Sequence, residues 1–277
     1  MKTTGKIFIA VAVCGCLNIA CYAAEPDKLN KADEIYTDGQ AAGSGGIAVP
    51  CNFKTQIDDQ AILDFKQGTI EFRLKLNAAS RVPESEWKGQ SRRMFFYCGP
   101  LRPDHPRMNN FNCLSIFQEK QWGNLVFSIA NNDYKCRQVS VGSAENWKAG
   151  EWHHVAAVWN LDVNGKTMMK IFIDGRLSSA EVIEWDKPND AALPVTPVDF
   201  DAQLGAMNSG EYPADAVFDD LRISTQPLYN ADFKPEPGKT MNTDGVAFDF
   251  NNSLDGKYRL KGKTGIIQAQ TGILMKK

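Results

Sequence analysis

The segment Glu151–Ala180 constrains the fold more than any other part of this chain, because it reads as adjacent β-strands joined by tight turns. From Trp152 to Trp159, alternate residues fall on opposite faces of a strand, and apolar side chains occur on both faces. The dipeptides at 164–165 (Asn-Gly) and 174–175 (Asp-Gly) tolerate positive φ and favour hairpin turns. Strands that are apolar on both faces are typical of the middle of a layered β-structure. We therefore predict a β-sheet protein in which both tryptophans belong to the core.

The rest of the chain shows little helical signal and many short strand-like runs separated by turns. The clearest is Gly68–Leu76, in which apolar residues alternate with polar ones such as Glu71, so we expect one face to be buried and the other to meet water. Short strands at regular spacing favour an antiparallel sandwich or barrel. The other predicted strands are Gly46–Val49, Arg93–Cys98, Cys113–Gln118, Leu125–Ala130, Arg137–Val141, Trp152–Trp159, Met168–Ile173, Ala202–Gly205, Ala216–Ser224 and Val246–Phe250. The Pro-rich stretch Asn230–Asp244 reads as a linker or an edge crossing.

The first 23 residues have the pattern of a secretion signal. Lys2 and Lys6 precede an apolar run, Ile7–Val13, and small residues precede a cut after Ala23. The run is shorter than the roughly 20 residues that a membrane-spanning helix needs. The alternative is a lipoprotein signal, since residues 13–16 (Val-Cys-Gly-Cys) loosely fit the pattern of a lipid-modified cysteine. We predict an exported protein that is secreted, periplasmic or at the cell surface. If the signal is of the lipoprotein type, a lipid anchor would attach the protein to the membrane.

The charge of the chain excludes two classes of partner. The formal net charge is −2, and loss of Lys2 and Lys6 with the signal would make it −4. A mildly acidic chain has no electrostatic footprint for nucleic acid or an anionic membrane. The roughly 250 remaining residues suffice for one large β-domain with a good core.

Four cysteines, Cys51, Cys98, Cys113 and Cys136, remain after that cut. An even number in an exported protein indicates up to two disulfides. The pair Cys98–Cys113 flanks a Pro-rich loop, so we favour it, with Cys51–Cys136 as its complement. The alternative is four buried thiols. A metal site is not indicated, because no two of these cysteines have C-x-x-C spacing.

Four segments occur in the order seen in laminin-G-like, concanavalin A-like lectin/glucanase domains of exported bacterial proteins. They are GTIEFRLKL (Gly68–Leu76), EWHHVAAVW (Glu151–Trp159), KIFIDGRL (Lys170–Leu177) and FDDLRIS (Phe218–Ser224). The chain resembles this family from about residue 47 to residue 228. The resemblance implies an all-β fold, namely a jelly-roll sandwich of two curved antiparallel sheets.

The expected organisation is a signal peptide (1–23), a lead-in (24–45), the sandwich (46–229) and a linker with a C-terminal strand (230–277). The first strand that the family pattern usually carries is missing near the N-terminus. A sequence of that type lies instead at Val246–Gly256 (VAFDFNNSLDG). Either this strand fills the first-strand position and packs on the sandwich, or it is the vestige of another repeat.

Catalytic patterns are weak. A glycosidase needs two carboxylates flanking the sugar bond, which on one strand would occupy alternate positions. Glu71 stands alone, and the adjacent Asp219 and Asp220 point to opposite faces in a regular strand. His153 and His154 are also adjacent, so they cannot chelate one metal from one face. We read these histidines as a structural pair, and we predict no enzyme activity, with a glycoside hydrolase as the alternative.

The resemblance also implies a structural Ca²⁺ near the sheet edge in many such sandwiches. Asp219 and Asp220, joined by Asp249 if its strand pairs beside Phe218–Ser224, are the candidate ligands, because calcium prefers oxygen donors. The alternative is a solvated acidic edge that discourages association between sheets. No other cofactor is expected.

Sugar binding would depend on exposed aromatic rings with amides beside them. The candidate aromatic residues in loops are Trp87, Trp122, Trp185 and Tyr212, and the polar partners are Asn109, Asn110, Asn131 and Asn132. The alternative is that these rings only cover the ends of the sandwich. We therefore predict a non-catalytic recognition module for glycan or a glycosylated surface. A structural or adhesive protein that binds an extracellular protein is the third possibility.

Overall fold

The computed structural model describes residues 51–57, 60–86, 90–100, 112–132, 135–163, 166–185, 194, 196, 202–207, 211–236, 245–249, 257–260 and 263–266. These ranges contain seventeen strands and two short 3₁₀ turns, Glu84–Glu86 and Ser143–Asn146. The strands are β1 Cys51–Phe53, β2 Gln56–Ile57, β3 Gln60–Ala61, β4 Gln67–Leu76, β5 Arg92–Cys98, β6 Cys113–Glu119, β7 Leu125–Ala130, β8 Cys136–Val141, β9 Trp152–Val163, β10 Lys166–Ile173, β11 Arg176–Ser179, β12 Ile183–Trp185, β13 Ala202–Leu204, β14 Ala216–Ser224, β15 Gly245–Asp249, β16 Lys257–Leu260 and β17 Lys263–Ile266. None of the helical turns in these ranges is long and apolar enough to cross a membrane.

The strands form two large antiparallel sheets. The first sheet has the order β1-β13-β5-β6-β7-β8-β12, and the second has the order β11-β10-β9-β4-β14-β15-β16-β17. The predicted all-β antiparallel sandwich is confirmed. The strand β15 pairs with β14, so the C-terminal strands extend the second sheet from the Phe218–Ser224 strand. Gly46–Val49 and residues 1–45 lie outside the described residues.

The predicted hairpin lies within the second sheet. β9 pairs with β10 along most of its length, with Val155 opposite Ile173 near one end and Val163 opposite Lys166 near the other. Its first turn, at 164–165, lies outside the described residues. The turn between β10 and β11 has φ of 52° at Asp174 and 77° at Gly175, as the sequence of this two-residue turn predicts.

The core lies between the two sheets. Phe72, Phe95 and Phe218 meet edge to face, with ring centroids 5.5–6.4 Å apart. The Trp159 indole is fully buried, packs on Phe127 at 5.5 Å and donates a hydrogen bond to the Asp64 carbonyl. Aromatic side chains dominate the energy of such cores because each buries a large apolar area.

The outer face of the second sheet is covered by residues 225–236, here called the strap. The Thr69 hydroxyl donates to the Gln226 carbonyl at 2.8 Å, and the Phe233 amide donates to the Gly175 carbonyl at 2.8 Å. Thr69 and Glu71 are at most 1% exposed as a result. The expectation that the polar face of Gly68–Leu76 meets water was therefore wrong for its first part, at Thr69 and Glu71. The start of the predicted linker, from Asn230, is a packed crossing over the sheet.

The predicted disulfide between Cys98 and Cys113 is not formed, because the two residues lie on opposite faces of the first sheet. Cys98 pairs with Leu114 across the β5–β6 ladder, and both belong to the core between the sheets. Cys113 is next to Leu114 along β6 and lies in the cluster on the outer face, with Cys136. Neighbouring residues of a strand point to opposite faces, so their sulfur atoms cannot meet.

The predicted disulfide between Cys51 and Cys136 is excluded by distance. β1 and β8 are separated by four strands of the first sheet. At about 4.8 Å per strand this places them about 24 Å apart, whereas a disulfide needs Cα atoms within roughly 7 Å. Cys98, Cys113 and Cys136 are buried thiols, as the alternative reading held. Burial raises the pKa of Cys136 to about 11, so this thiol stays protonated.

Replacing Gly175 with alanine should loosen the strap. A Cβ atom there would lie 2.0 Å from the Phe233 carbonyl oxygen, whereas a Cβ at Gly150, which also has positive φ, would meet nothing within 4 Å. Gly150→Ala should cost about 1–2 kcal/mol of unfolding free energy for the left-handed backbone alone. Gly175→Ala should cost about 1–3 kcal/mol more for the overlap. Urea unfolding measures both, and equal losses would show that the strap does not press on this turn.

Candidate functional site

One end of the sandwich is built from connections that join strands of both sheets, and it is here called the loop end. Its segments are residues 77–86, 120–124 and 142–151. The Gly150 amide donates to the Leu76 carbonyl at 2.8 Å, and Arg81 Nε donates to the Trp122 carbonyl at 3.0 Å. The connections therefore brace one another rather than extending separately into solvent.

A buried polar cluster supports the loop end from below. Arg93 Nη1 donates to the Ser80 carbonyl at 2.8 Å and to Gln118 Oε1 at 2.9 Å. Gln118 Nε2 in turn donates to the carbonyls of Gly123 and Ala144, at 3.2 and 3.4 Å. Burial lowers the pKa of Arg93. Hydrogen bonds to backbone carbonyls hold these connections at fixed positions, because breaking them would leave buried polar groups unsatisfied.

Trp122 projects from the turn between β6 and β7, with 51% of its surface exposed. Gly123 follows it at φ 73°, and a Cβ on Gly123 would lie 2.6 Å from Glu145 Cα, so the turn requires glycine. The Arg81 guanidinium forms an ion pair with the Glu145 carboxylate beside this turn. Trp122 therefore presents an exposed ring on a turn that is hydrogen-bonded to Arg81, and its part in sugar binding stays a prediction.

Trp152 lies at the same end, on the outer face of the second sheet. It is half-buried, and the Lys75 ammonium sits 4.9 Å from the centroid of its ring. The prediction that Trp152 belongs to the core was wrong, whereas Trp159 is fully buried as predicted. Strand parity gives the face on which a residue lies but not whether another segment covers that face.

His153 packs beneath these connections. Its ring stacks on Trp147, with centroids 4.3 Å apart, and its Nδ1 lies 3.1 Å from Asp174 Oδ2. The His154 amide donates to the other oxygen of Asp174 at 2.8 Å. Burial would raise the pKa of Asp174, but the hydrogen bonds from His153 and His154 outweigh it and hold this pKa below its usual value. The pair of histidines is structural, as predicted.

A charged cluster lies under the strap. Glu71 Oε2 is 2.9 Å from His154 Nε2, and both Glu71 oxygens accept a hydrogen bond from the Tyr229 hydroxyl, at 3.0 and 3.2 Å. Arg222 Nε lies 3.1 Å from Glu71 Oε1, a charge contact rather than a well-aligned hydrogen bond. Burial, and next the Glu71 charge, raise the pKa of Tyr229. Glu71 is fully buried among donors and cations, so it anchors the strap and cannot reach a substrate.

The predicted ligand residues that the structure describes lie at different places on the sandwich. Tyr212 packs on the outer face of the first sheet, and its carbonyl accepts a hydrogen bond from Met94 near the loop end. Asn131 is 2% exposed, and its side-chain oxygen accepts the Lys135 amide, so it stabilises the β7–β8 turn. The register places Trp185 opposite Cys136, at the end of the first sheet that carries Asn131 and lies opposite the loop end. The other predicted residues, Trp87, Asn109 and Asn110, lie outside the described residues.

The candidate calcium ligands lie at an irregularity of β14. The register shifts between Asp219 and Arg222, and Asp220 has φ of 50°, so this segment is a bulge and strand parity does not separate the two aspartates. β15 pairs beside it, with Phe248 opposite Leu221, so Asp249 falls at the next register position. Among the described side chains, no three His, Cys, Asp or Glu groups are close enough to hold a metal. A calcium ion here would need Asp249 or backbone carbonyls as further ligands.

Two large antiparallel sheets packed around one core form a sandwich of the concanavalin A-like type. Residues 54–232 match the Laminin_G_3 family model, described as the concanavalin A-like lectin/glucanases superfamily. The chain belongs to this family, which confirms the resemblance seen in the sequence. No curated protein matches the chain.

Two of the solved structures that this chain resembles are a pentraxin and a toxin domain. A heptameric SAP-like pentraxin from Limulus polyphemus is 14% identical, with a TM-score of 0.42, over 83% of this chain and 94% of that one. The botulinum neurotoxin serotype D ligand binding domain, in complex with N-acetylneuraminic acid, is 12% identical, with a TM-score of 0.41, over 62% of this chain and 36% of that one. The chain thus spans about a third of the length of that toxin domain. At these identities and TM-scores the similarity transfers no ligand.

Asp174 should make the protein acid-sensitive. Its pKa is lowered in the folded state, so its stabilising effect is present above the unfolded pKa of about 4 and is lost as pH falls through the folded value. Asp174→Asn keeps a residue that tolerates this turn but cannot ionise. Because the side chain is 53% exposed, we expect the stability gap to the variant to stay below about 1 kcal/mol at pH 7 and to vanish near pH 2. Urea unfolding between pH 2 and pH 7 tests this, and a gap independent of pH would contradict it.

Proposed function

We propose that this protein is an exported, non-catalytic recognition module that binds glycan through the loop end, with Trp122 as the main contact. The observation that carries the proposal is the exposure of Trp122 on a turn that Gly123 and Arg81 hold in one conformation. The apolar face of a sugar packs on such a ring, while its hydroxyls bond to nearby charged groups. Arg81 and Glu145 supply both donors and acceptors at this position.

The fixed geometry supports recognition rather than accidental exposure. A mobile tryptophan would lose side-chain and loop entropy on binding, and that loss would reduce affinity. Here the turn is bonded to Arg81, and the Arg93–Gln118 cluster holds the carbonyl of Gly123. Membership of the lectin/glucanase superfamily agrees with a sugar ligand, although one fold hosts many functions.

The two alternative functions, a glycoside hydrolase and a structural or adhesive protein, require different features of the structure. A glycoside hydrolase would need a second carboxylate within about 5–10 Å of the first, facing a cleft, whereas Glu71 is buried beneath the strap. A structural or adhesive protein would instead bind another protein. Incubating the protein with polysaccharides and measuring released reducing ends tests the first alternative, because release of sugar ends would overturn the non-catalytic assignment.

Trp122→Ala should weaken glycan binding by at least about tenfold, the loss expected when a central aromatic contact is removed. Leu177→Ala is the matched control, because Leu177 is also a large exposed apolar residue, with 41% exposure, but lies at the β10–β11 edge. A glycan array identifies the ligand, and titration calorimetry on it compares the variants. Equal affinities of the two variants, or no glycan bound by the parent protein, would contradict the proposal.

We also propose a structural Ca²⁺ at the β14 bulge, held by Asp219, Asp220 and Asp249. Calcium at 100 times its dissociation constant would add about 2.7 kcal/mol of stability, or about 5–10 °C in melting temperature for a domain of this size. A chelator should remove this shift, and Asp220→Asn should reduce it, whereas Asp232→Asn in the strap should not. Thermal melting at low ionic strength measures this, and a midpoint unchanged by the chelator would exclude the ion.

A further inference from the structure

We propose that the loop end carries a second ligand contact, formed by Trp152 and Lys75, and that the ligand is an acidic oligosaccharide whose charged unit binds there. This rests on the proposed glycan binding at Trp122. It specifies that the glycan is acidic and that it is longer than one sugar unit. The charged group would be a carboxylate of a uronic acid or a sulfate ester, since both offer oxygen acceptors to an ammonium.

Trp152 and Lys75 are half-buried on a sheet face that the strap seals further along β4. The register aligns Val217, Lys75 and Trp152 across β14, β4 and β9, near the ends of these strands that lie at the loop end. All three are half-buried, whereas Thr69 and Glu71, further along β4, are sealed by the strap. The row therefore presents a partly exposed indole on a rigid strand.

Among the described residues, the Lys75 ammonium forms no ion pair with a carboxylate. Arg81 is paired with Glu145, and Lys148 lies 3.7 Å from Glu151. Within the described chain, the contact of the Lys75 ammonium is the face of Trp152, at 4.9 Å. An ammonium held over an indole retains its capacity to bind an anion, because the ring offers only its quadrupole. A ligand anion at Lys75 thus gains an ion pair without displacing one.

The two contacts lie too far apart for one sugar ring. Trp122 belongs to a turn of the first sheet and Trp152 to the outer face of the second. Packed sheets are about 10 Å apart, so a ligand that touches both must extend over more than one unit. The segment that follows β8 braces this end, because Arg81 pairs with Glu145 and the Gly150 amide donates to the Leu76 carbonyl.

The test compares two substitutions that each remove one lysine charge, one within β4 and one just before it. Lys75→Gln removes the ammonium, and Lys66→Gln removes an exposed charge just before β4, about 30 Å away along the strand. Calorimetry would use oligogalacturonate hexamers, their uncharged methyl esters, sulfated galactan hexamers and the galacturonic acid monomer. The two acidic hexamers distinguish a carboxylate ligand from a sulfate ligand.

We expect Lys75→Gln to weaken binding of one acidic hexamer about fivefold or more at low salt, with a smaller loss at 0.5 M salt because of screening. Lys66→Gln should leave that affinity unchanged, and the monomer should show no difference between variants. Equal affinities of the two lysine variants, or tighter binding of the methyl ester than of the acids, would overturn the inference. In that case a loss of affinity in Trp122→Ala would still support the proposed function. If the parent protein bound neither a hexamer nor any glycan on the array, both the proposed function and this inference would be wrong.

Discussion

The buried carboxylate of Glu71 is the constraint on which the second sheet depends. It lies on β4 and contacts His154 on β9, Arg222 on β14 and Tyr229 in the strap, so one side chain joins three strands to the segment that covers them. A fully buried charge is costly unless it is paired and hydrogen-bonded. Any arrangement that displaced the strap would expose this carboxylate and deprive it of the Tyr229 hydroxyl, so the covered state of the sheet is favoured by electrostatics as well as by apolar packing. The stacked rings of Tyr229 and Phe233, 3.6 Å apart, complete the cover.

The cover over much of both sheet faces limits where a ligand can bind. On the second sheet the strap seals the rows that include Thr69 and Glu71. On the first sheet the outer face carries an apolar cluster whose members, among them Met94 and Phe117, are at most 6% exposed. In the described part of the chain, the most exposed ring, Trp122, lies on a connection between strands, and the half-exposed Trp152 lies at the start of β9. This is the usual division in such domains, with a rigid scaffold that positions variable loops for binding.

Local patterns in the sequence predicted the strands well, because alternation and turn dipeptides are local signals. The predicted run Leu125–Ala130 coincides with β7, and the predicted run Ala216–Ser224 coincides with β14. What the sequence could not supply was which strands pair, and in what register. A shift of one residue reverses the face of every side chain, which is why Cys98 and Cys113 seemed suitable partners although the ladder places them on opposite faces. The burial of Glu71 depends on Tyr229, 158 positions away, and no local pattern reports such a contact.

The candidate site shows the same division between local and distant information. Trp122 was identified from its turn-like surroundings, and it is exposed. Trp152 was assigned to the core because its strand is apolar on both faces, but it lies half-buried on the outer face of the second sheet. The protein carries a net negative charge of −2, so its overall field does not attract an anionic ligand from a distance. Selectivity for acidic sugars would then depend on one short-range contact at Lys75, and this contact is effective because Arg81 and Lys148 are already paired with carboxylates. Specificity would then arise from the position of an unpaired ammonium beside an indole ring, rather than from the total charge of the surface.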